Sequence, residues 1–161
     1  MTQGATLVAG IGNIFLGDDG FGVEVVRRLA ERPARQDVRV VDFGIRGLDL
    51  AYALLDYPRV ILVDATMRGG APGTLYVLEP DAACSDAGAG AGLTAHGIVP
   101  EQALALARSI GAQPGYVRVV GCEPAQIPDA DDIAVGLSAP VAAAVDEAVR
   151  LIETMLQAGD A

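Results

Sequence analysis

The sequence predicts an α/β fold: three layers, in which a mixed, mostly parallel, five-stranded twisted sheet carries helices on both faces. Apolar runs of four to seven residues recur along the chain. Stretches of helical period separate them, which is the pattern of parallel β-α-β units. A glycine-rich turn joins the first run to the first helix, as in open sheets that place their sites at strand ends. With 161 residues, 52% of them hydrophobic, the chain can bury a full core and falls outside the disordered class.

The first run, residues 5–11, leads into Gly10-Ile11-Gly12-Asn13-Ile14-Phe15-Leu16-Gly17-Asp18-Asp19-Gly20-Phe21-Gly22. Its glycines allow backbone turns that are closed to other residues. A helix over 21–31 follows, with Val23, Val26 and Ala30 on one face and Glu24, Arg27 and Arg28 toward solvent. Strands over 38–41 and 60–63 flank a helix over 48–55. The run at 73–78 comes after a Gly/Pro connection too short for a helical crossover, so it is expected as an antiparallel neighbour of its predecessor.

Residues 81–97, with Ala87-Gly88-Ala89-Gly90-Ala91-Gly92, have no apolar period and read as a mobile loop. Loops this long in compact domains are commonly functional. This one ends in Thr94-Ala95-His96-Gly97 and carries the only histidine of the chain. A helix over 100–110 takes Pro100 as its first residue and Gly111 as its cap. A strand over 116–121 and a helix over 139–157 complete the chain. No repeat or linker interrupts it, so residues 1–161 are expected to form a single domain.

Charge excludes several classes of partner. The net charge is −10, and all 11 basic residues are arginines scattered along the chain. Nucleic acids and anionic membrane surfaces are bound by clustered Lys and Arg, so neither is expected. No uninterrupted apolar segment approaches the roughly 18 residues that span a bilayer. The first residues lack the basic n-region of a secretory signal, and a cytoplasmic location is expected. Cys84 and Cys122 stand far apart, outside any C-x-x-C or metal-finger spacing, and read as buried or incidental thiols without a disulfide.

Two readings compete for the opening turn. A dinucleotide site needs a third glycine where Phe15 stands, and carboxylates at Asp18 and Asp19 would repel a pyrophosphate from the helix N-terminus. One of the two can serve as the helix cap; the other is then available for a proton or a metal. Asp64 ends the run 60–63. In strand order 2-1-3, the ends of the first and third strands flank the switch point, so an acid after each faces the other across one crevice. His96 could close over it. Two carboxylates and an imidazole suit a first-row divalent ion and leave positions for substrate or water.

Other chemistries fit less well. Ser85, Ser109 and Ser138 lie in no G-x-S-x-G elbow. Neither cysteine has a local signature that pairs it with His96. A sugar cleft is disfavoured by 4% aromatics and no Trp.

Taken together, these residues resemble the hydrogenase maturation endopeptidases of nickel-iron hydrogenases. The opening segment through Asp18-Asp19-Gly20-Phe21-Gly22 is similar to the family's first signature. Leu62-Val63-Asp64-Ala65 is similar to its second acidic strand end, and Ala71-Pro72-Gly73-Thr74 to the turn after it. Gly121-Cys122-Glu123-Pro124 and Leu137-Ser138-Ala139-Pro140 match its late strand and the start of its last helix.

The resemblance implies that Asp19, Asp64 and His96 are the catalytic and metal-contacting residues of an endopeptidase, in a family usually classed as aspartic-type. Such an enzyme removes a C-terminal extension from a hydrogenase large-subunit precursor after nickel insertion. Nickel then comes with the substrate, no permanent cofactor is expected, and the free enzyme is expected to be monomeric. Many members carry Asp-Gly-Gly-Thr where this chain has Asp42-Phe43-Gly44-Ile45-Arg46-Gly47, a departure that implies selection of a particular large subunit. Asp42 also ends a strand near the crevice and is a second-rank candidate. Two other readings stay open: a non-catalytic nickel-recognition or chaperone module, and a general metallohydrolase with its own zinc.

Overall fold

In a sheet covered on both sides, the central strands must be apolar on both faces, and two segments of this chain meet that demand. In β1 (Thr6–Ile11) every residue is buried, and in β3 (Arg59–Ala65) all but the end residues are. The computed structural model describes residues 4–80, 99–129 and 131–159. Its remaining elements are α1 (Phe21–Ala30), β2 (Val38–Gly44), α2 (Gly47–Ala53), β4 (Leu75–Leu78), α3 (Pro100–Ser109), β5 (Tyr116–Cys122) and α4 (Ala139–Ala158), with a 3-10 turn at Gly17–Gly20.

The strand order is β2-β1-β3-β5-β4. The first four strands are parallel and β4 runs antiparallel, so the sheet is mixed as expected. The partner of β4 differs from the expectation, because β4 pairs with β5 and not with β3. The slot beside β3 requires a strand buried on both faces, which β5 supplies through Val117, Val119, Val120 and Cys122. With four residues and a half-exposed Val77, β4 suits an edge, where short strands are tolerated.

Alternation along the strands builds two cores. Leu7, Ala9, Val60 and Leu62 face α2 and α3, together with Leu50, Leu54 and Leu104. Val8, Ile61 and Val63 face α1 and α4, together with Phe21, Val26, Val145 and Val149. Successive strand residues point to opposite faces, which is what divides these runs between two helical layers. The buried face of α1 is broader than expected: Val25 and Leu29 join it, while Ala30 is exposed. β2 continues to Gly44 because Ile11 pairs with it across a register shift after Gly10.

One close approach sets the position of α1. Gly22 lies against the carbonyl oxygens of Ile11 and Val63, and a Cβ there would overlap both. The start of the helix is therefore pressed onto the carboxyl ends of the two central strands. Gly22→Ala is expected to cost about 3 kcal/mol through overpacking, read as a lowered urea midpoint. Gly115→Ala, where a Cβ meets open space, should leave the midpoint within about 1 kcal/mol of the original.

Candidate active site

The turn after β1 doubles back on itself. Gly12 has φ +140°, and a Cβ on it would collide with the carbonyl oxygen of Asp19. Beyond it, the Asn13 side chain accepts from the Phe15 N–H at 2.9 Å, a local Asx turn. Leu16 anchors the loop in the core. The 3-10 turn then presents Asp18 and Asp19 in succession, both buried, and the two carboxylates take different partners.

The Asp18 carboxylate ties the loop to distant chain. It accepts from the Ser138 N–H at 2.7 Å and the Ser138 hydroxyl at 2.8 Å. It also accepts from the N–H groups of Ala125 at 2.9 Å and Gln126 at 3.2 Å. Burial by itself would raise its pKa, but these four bonds outweigh that effect and hold it below the ordinary value. Neither acid caps α1: the helix begins from Gly20 without a side-chain cap, so the expected N-cap role gives way to a tertiary one. Ser138 precedes α4 without capping it, its hydroxyl being bonded to Asp18.

Asp19 turns to the crevice and accepts from the Asn13 N–H at 2.9 Å. Asp64 ends β3, is 7% exposed, and accepts from the Ala65 N–H at 2.9 Å. Burial pushes the Asp64 pKa well above the usual carboxylate range, the charge of Asp19 adds to the rise, and Glu101 contributes further. The two acids are thus brought into one electrostatic unit, as expected for neighbouring strands. Two carboxylates sharing a buried site cannot both stay charged without a proton or a cation between them.

His96, the third expected member, lies outside the described residues, as do Cys84 and Ser85. Among the described residues no group of three possible metal ligands occurs, so the described part of the site is the carboxylate pair. Asp42 does not join that pair: it faces Arg27 at 3.7 Å. Arg46 bonds the Asp42 carbonyl oxygen at 2.6 Å, pairs with Asp49 at 3.4 Å and lies over the Phe43 ring. Phe43 itself is buried in the core.

A further buried acid escaped the sequence reading. Glu123 accepts from the N–H groups of Arg68 at 2.7 Å and Gly69 at 2.8 Å and from the Tyr76 hydroxyl at 3.3 Å. It shapes the segment that follows Asp64. In the sequence it stands only within the Gly121-Cys122-Glu123-Pro124 match, just after an apolar strand, and neither feature says that it is buried and bonded.

Cys122 is buried and free. Burial, with the charges of Asp18 and Glu123, pushes its thiol up to about 12, so it is not a nucleophile at neutral pH.

A doubly wound sheet with two coupled carboxylates at its switch point defines an α/β protein with an acidic site suited to hydrolysis. The family model for hydrogenase maturation protease matches residues 23–155, just beyond the opening turn. The chain is 34% identical over 146 residues to the hydrogenase expression/formation protein HupD of Rhodobacter capsulatus, covering 89% of this chain and 69% of that one. It is 34% identical over 152 residues to the hydrogenase expression/formation protein HoxM of Azotobacter vinelandii, covering 94% and 72%.

Among solved structures, the hydrogenase 2 maturation peptidase of a Thaumarchaeota archaeon is 37% identical, with a TM-score of 0.70 over 95% of this chain and 98% of that one. The hydrogenase maturating endopeptidase HybD from E. coli is 28% identical, with a TM-score of 0.73 over 95% and 92%. The chain belongs to the hydrogenase maturation protease family, and it is a peptidase.

Two outcomes follow from the local geometry. Asp18→Ala leaves the Ala125, Gln126 and Ser138 donors without their acceptor and should cost about 3 kcal/mol in chemical denaturation. Cys122 should resist alkylation at pH 8 in the folded protein and react once it is unfolded in urea, as followed by peptide mass spectrometry.

Proposed function

We propose that this protein is the endopeptidase that removes the C-terminal extension of a nickel-iron hydrogenase large-subunit precursor, and that it recognises the precursor by the nickel already inserted. The observation that carries this reading is the coupled pair Asp19 and Asp64. Two buried acids in one crevice repel each other, and a dication held by the substrate relieves that repulsion. His96 supplies the imidazole that completes an O,O,N set suited to nickel.

The residues divide the work. Asp19, fixed by the Asn13 N–H, faces the incoming ion. Asp64, whose pKa burial and the Asp19 charge raise above the ordinary carboxylate range, is the second carboxylate toward that ion. The reaction is hydrolysis: water adds to the scissile carbonyl and the new amine leaves with a proton. A divalent ion polarises a carbonyl or lowers the pKa of bound water, and here that ion belongs to the substrate. The carboxylates position it.

No described helix is long and apolar enough to cross a membrane. We place the reaction in the cytoplasm, where the monomeric enzyme meets the precursor.

Asp19→Ala should lower the rate of processing by about 100-fold or more while the circular dichroism spectrum and the unfolding transition keep their folded form. His96→Ala should fail on nickel-loaded precursor. The purified enzyme should carry well under one equivalent of metal and leave nickel-free precursor uncut. Efficient cleavage of nickel-free precursor would overturn the reading and favour a resident zinc. Binding of loaded precursor without any cleavage would favour a chaperone role.

A further inference from the structure

Several large apolar side chains stand in solvent on the loop after β1, the loop after β2 and the segment before α4. Phe15 is 53% exposed, Ile45 54%, Ile133 73% and Val135 75%. Phe15 and Ile133 are neighbours by backbone register. Leu16 and Ala134 form a parallel bridge, the Gly17 N–H donates to the Ala134 carbonyl at 2.7 Å, and the Ala134 N–H donates to the Phe15 carbonyl at 2.8 Å. These two bonds bring the backbone at Ile133 and Ala134 alongside Phe15 and Leu16. On the other side of Phe15 a cavity of about 200 Å³ opens, lined by Ile14, Phe15, Val23 and Ile45, with Arg27 and Asp42 at its polar side. A contiguous apolar rim of this kind marks an interaction site more often than a chance exposure.

The position of the rim selects its occupant. Asn13 lines the cavity and donates its N–H to Asp19, so the cavity begins one residue from the crevice carboxylate. A polypeptide bound at Asp19 therefore has the cavity beside it, across Asn13. The volume holds one large apolar side chain. Asp131 and Asp132, both exposed, adjoin Ile133 and favour a basic flank on the bound segment, in keeping with the net charge of −10.

We propose that Phe15, Ile45 and Ile133 form the docking surface for the precursor segment next to the cleaved bond, and that the cavity takes one large apolar side chain of that segment. This rests on the endopeptidase reading above.

The test uses the full-length protein and the full-length nickel-loaded precursor, with binding, cleavage and self-association measured in parallel. Ile133→Asp and Phe15→Ser remove exposed side chains, and Ile110→Ser, at the far end of the sheet after α3, is the control. Both rim variants should raise Kd and KM by about tenfold or more, whereas Ile110→Ser should leave both unchanged. An alanine scan of the large apolar residues around the cleaved bond should find one whose loss weakens binding to the unmodified protein but not further to Phe15→Ser.

Rim variants that bind within about twofold of the unmodified protein overturn the docking surface, even when cleavage is normal. Self-association abolished by Ile133→Asp overturns it in favour of a second copy of the chain. Precursor that binds through the rim but is never cut supports the docking surface and overturns the endopeptidase reading alone. Precursor that neither binds nor is cut overturns both.

Discussion

Four hydrogen bonds converge on the Asp18 carboxylate, two from Ser138 and one each from Ala125 and Gln126. They join the loop after β1 to the segment after β5 and to the start of α4, elements separated by more than a hundred residues in sequence. A buried carboxylate is costly unless its oxygens are satisfied, and here each oxygen is. The bonds hold Asp18 charged against its burial. Because Asp18 is bound on one side of a one-turn helix, Asp19 is delivered to the other, toward β3. One acid gives the site its shape so that the next can face Asp64.

The glycines around this knot make the same geometry possible from below. Gly12 lets the chain turn under Asp19, and Gly22 lets α1 rest on the ends of β1 and β3. Either contact would be lost to a methyl group. The two carboxylates of the crevice are close enough for the Asp19 charge to act on Asp64. Burial and the Asp19 charge together hold the Asp64 pKa above the usual carboxylate range. A site of that kind favours a cationic visitor over a resident anion.

Recognition of a protein substrate needs more than the crevice. The segment after β3 is held by Glu123 and Tyr76, and the opposite rim is built from Phe15, Ile45 and Ile133, which the fold leaves uncovered. The departure of this chain from the commoner family pattern falls at Phe43, Ile45 and Arg46. Phe43 is a core residue, whereas Ile45 and Arg46 are both exposed, Arg46 being tied to its own loop.

The sequence by itself determined the layers, the strand order of the first half, and the two acids at adjacent strand ends. Those features follow from period and spacing along the chain, as in the fully buried run of β3 and the glycines before Asp18, and period is a local property. Tertiary structure decided the rest. It assigned β4 to β5, because burial on both faces sets which strand may stand beside β3. It gave Asp18 a distant partner in Ser138 where a local cap was expected, and it made an organising group of Glu123, whose partners lie some fifty residues away. Contacts across such separations leave no periodic trace in a single sequence. They exist only once the chain has closed its core and every buried polar atom must find a partner.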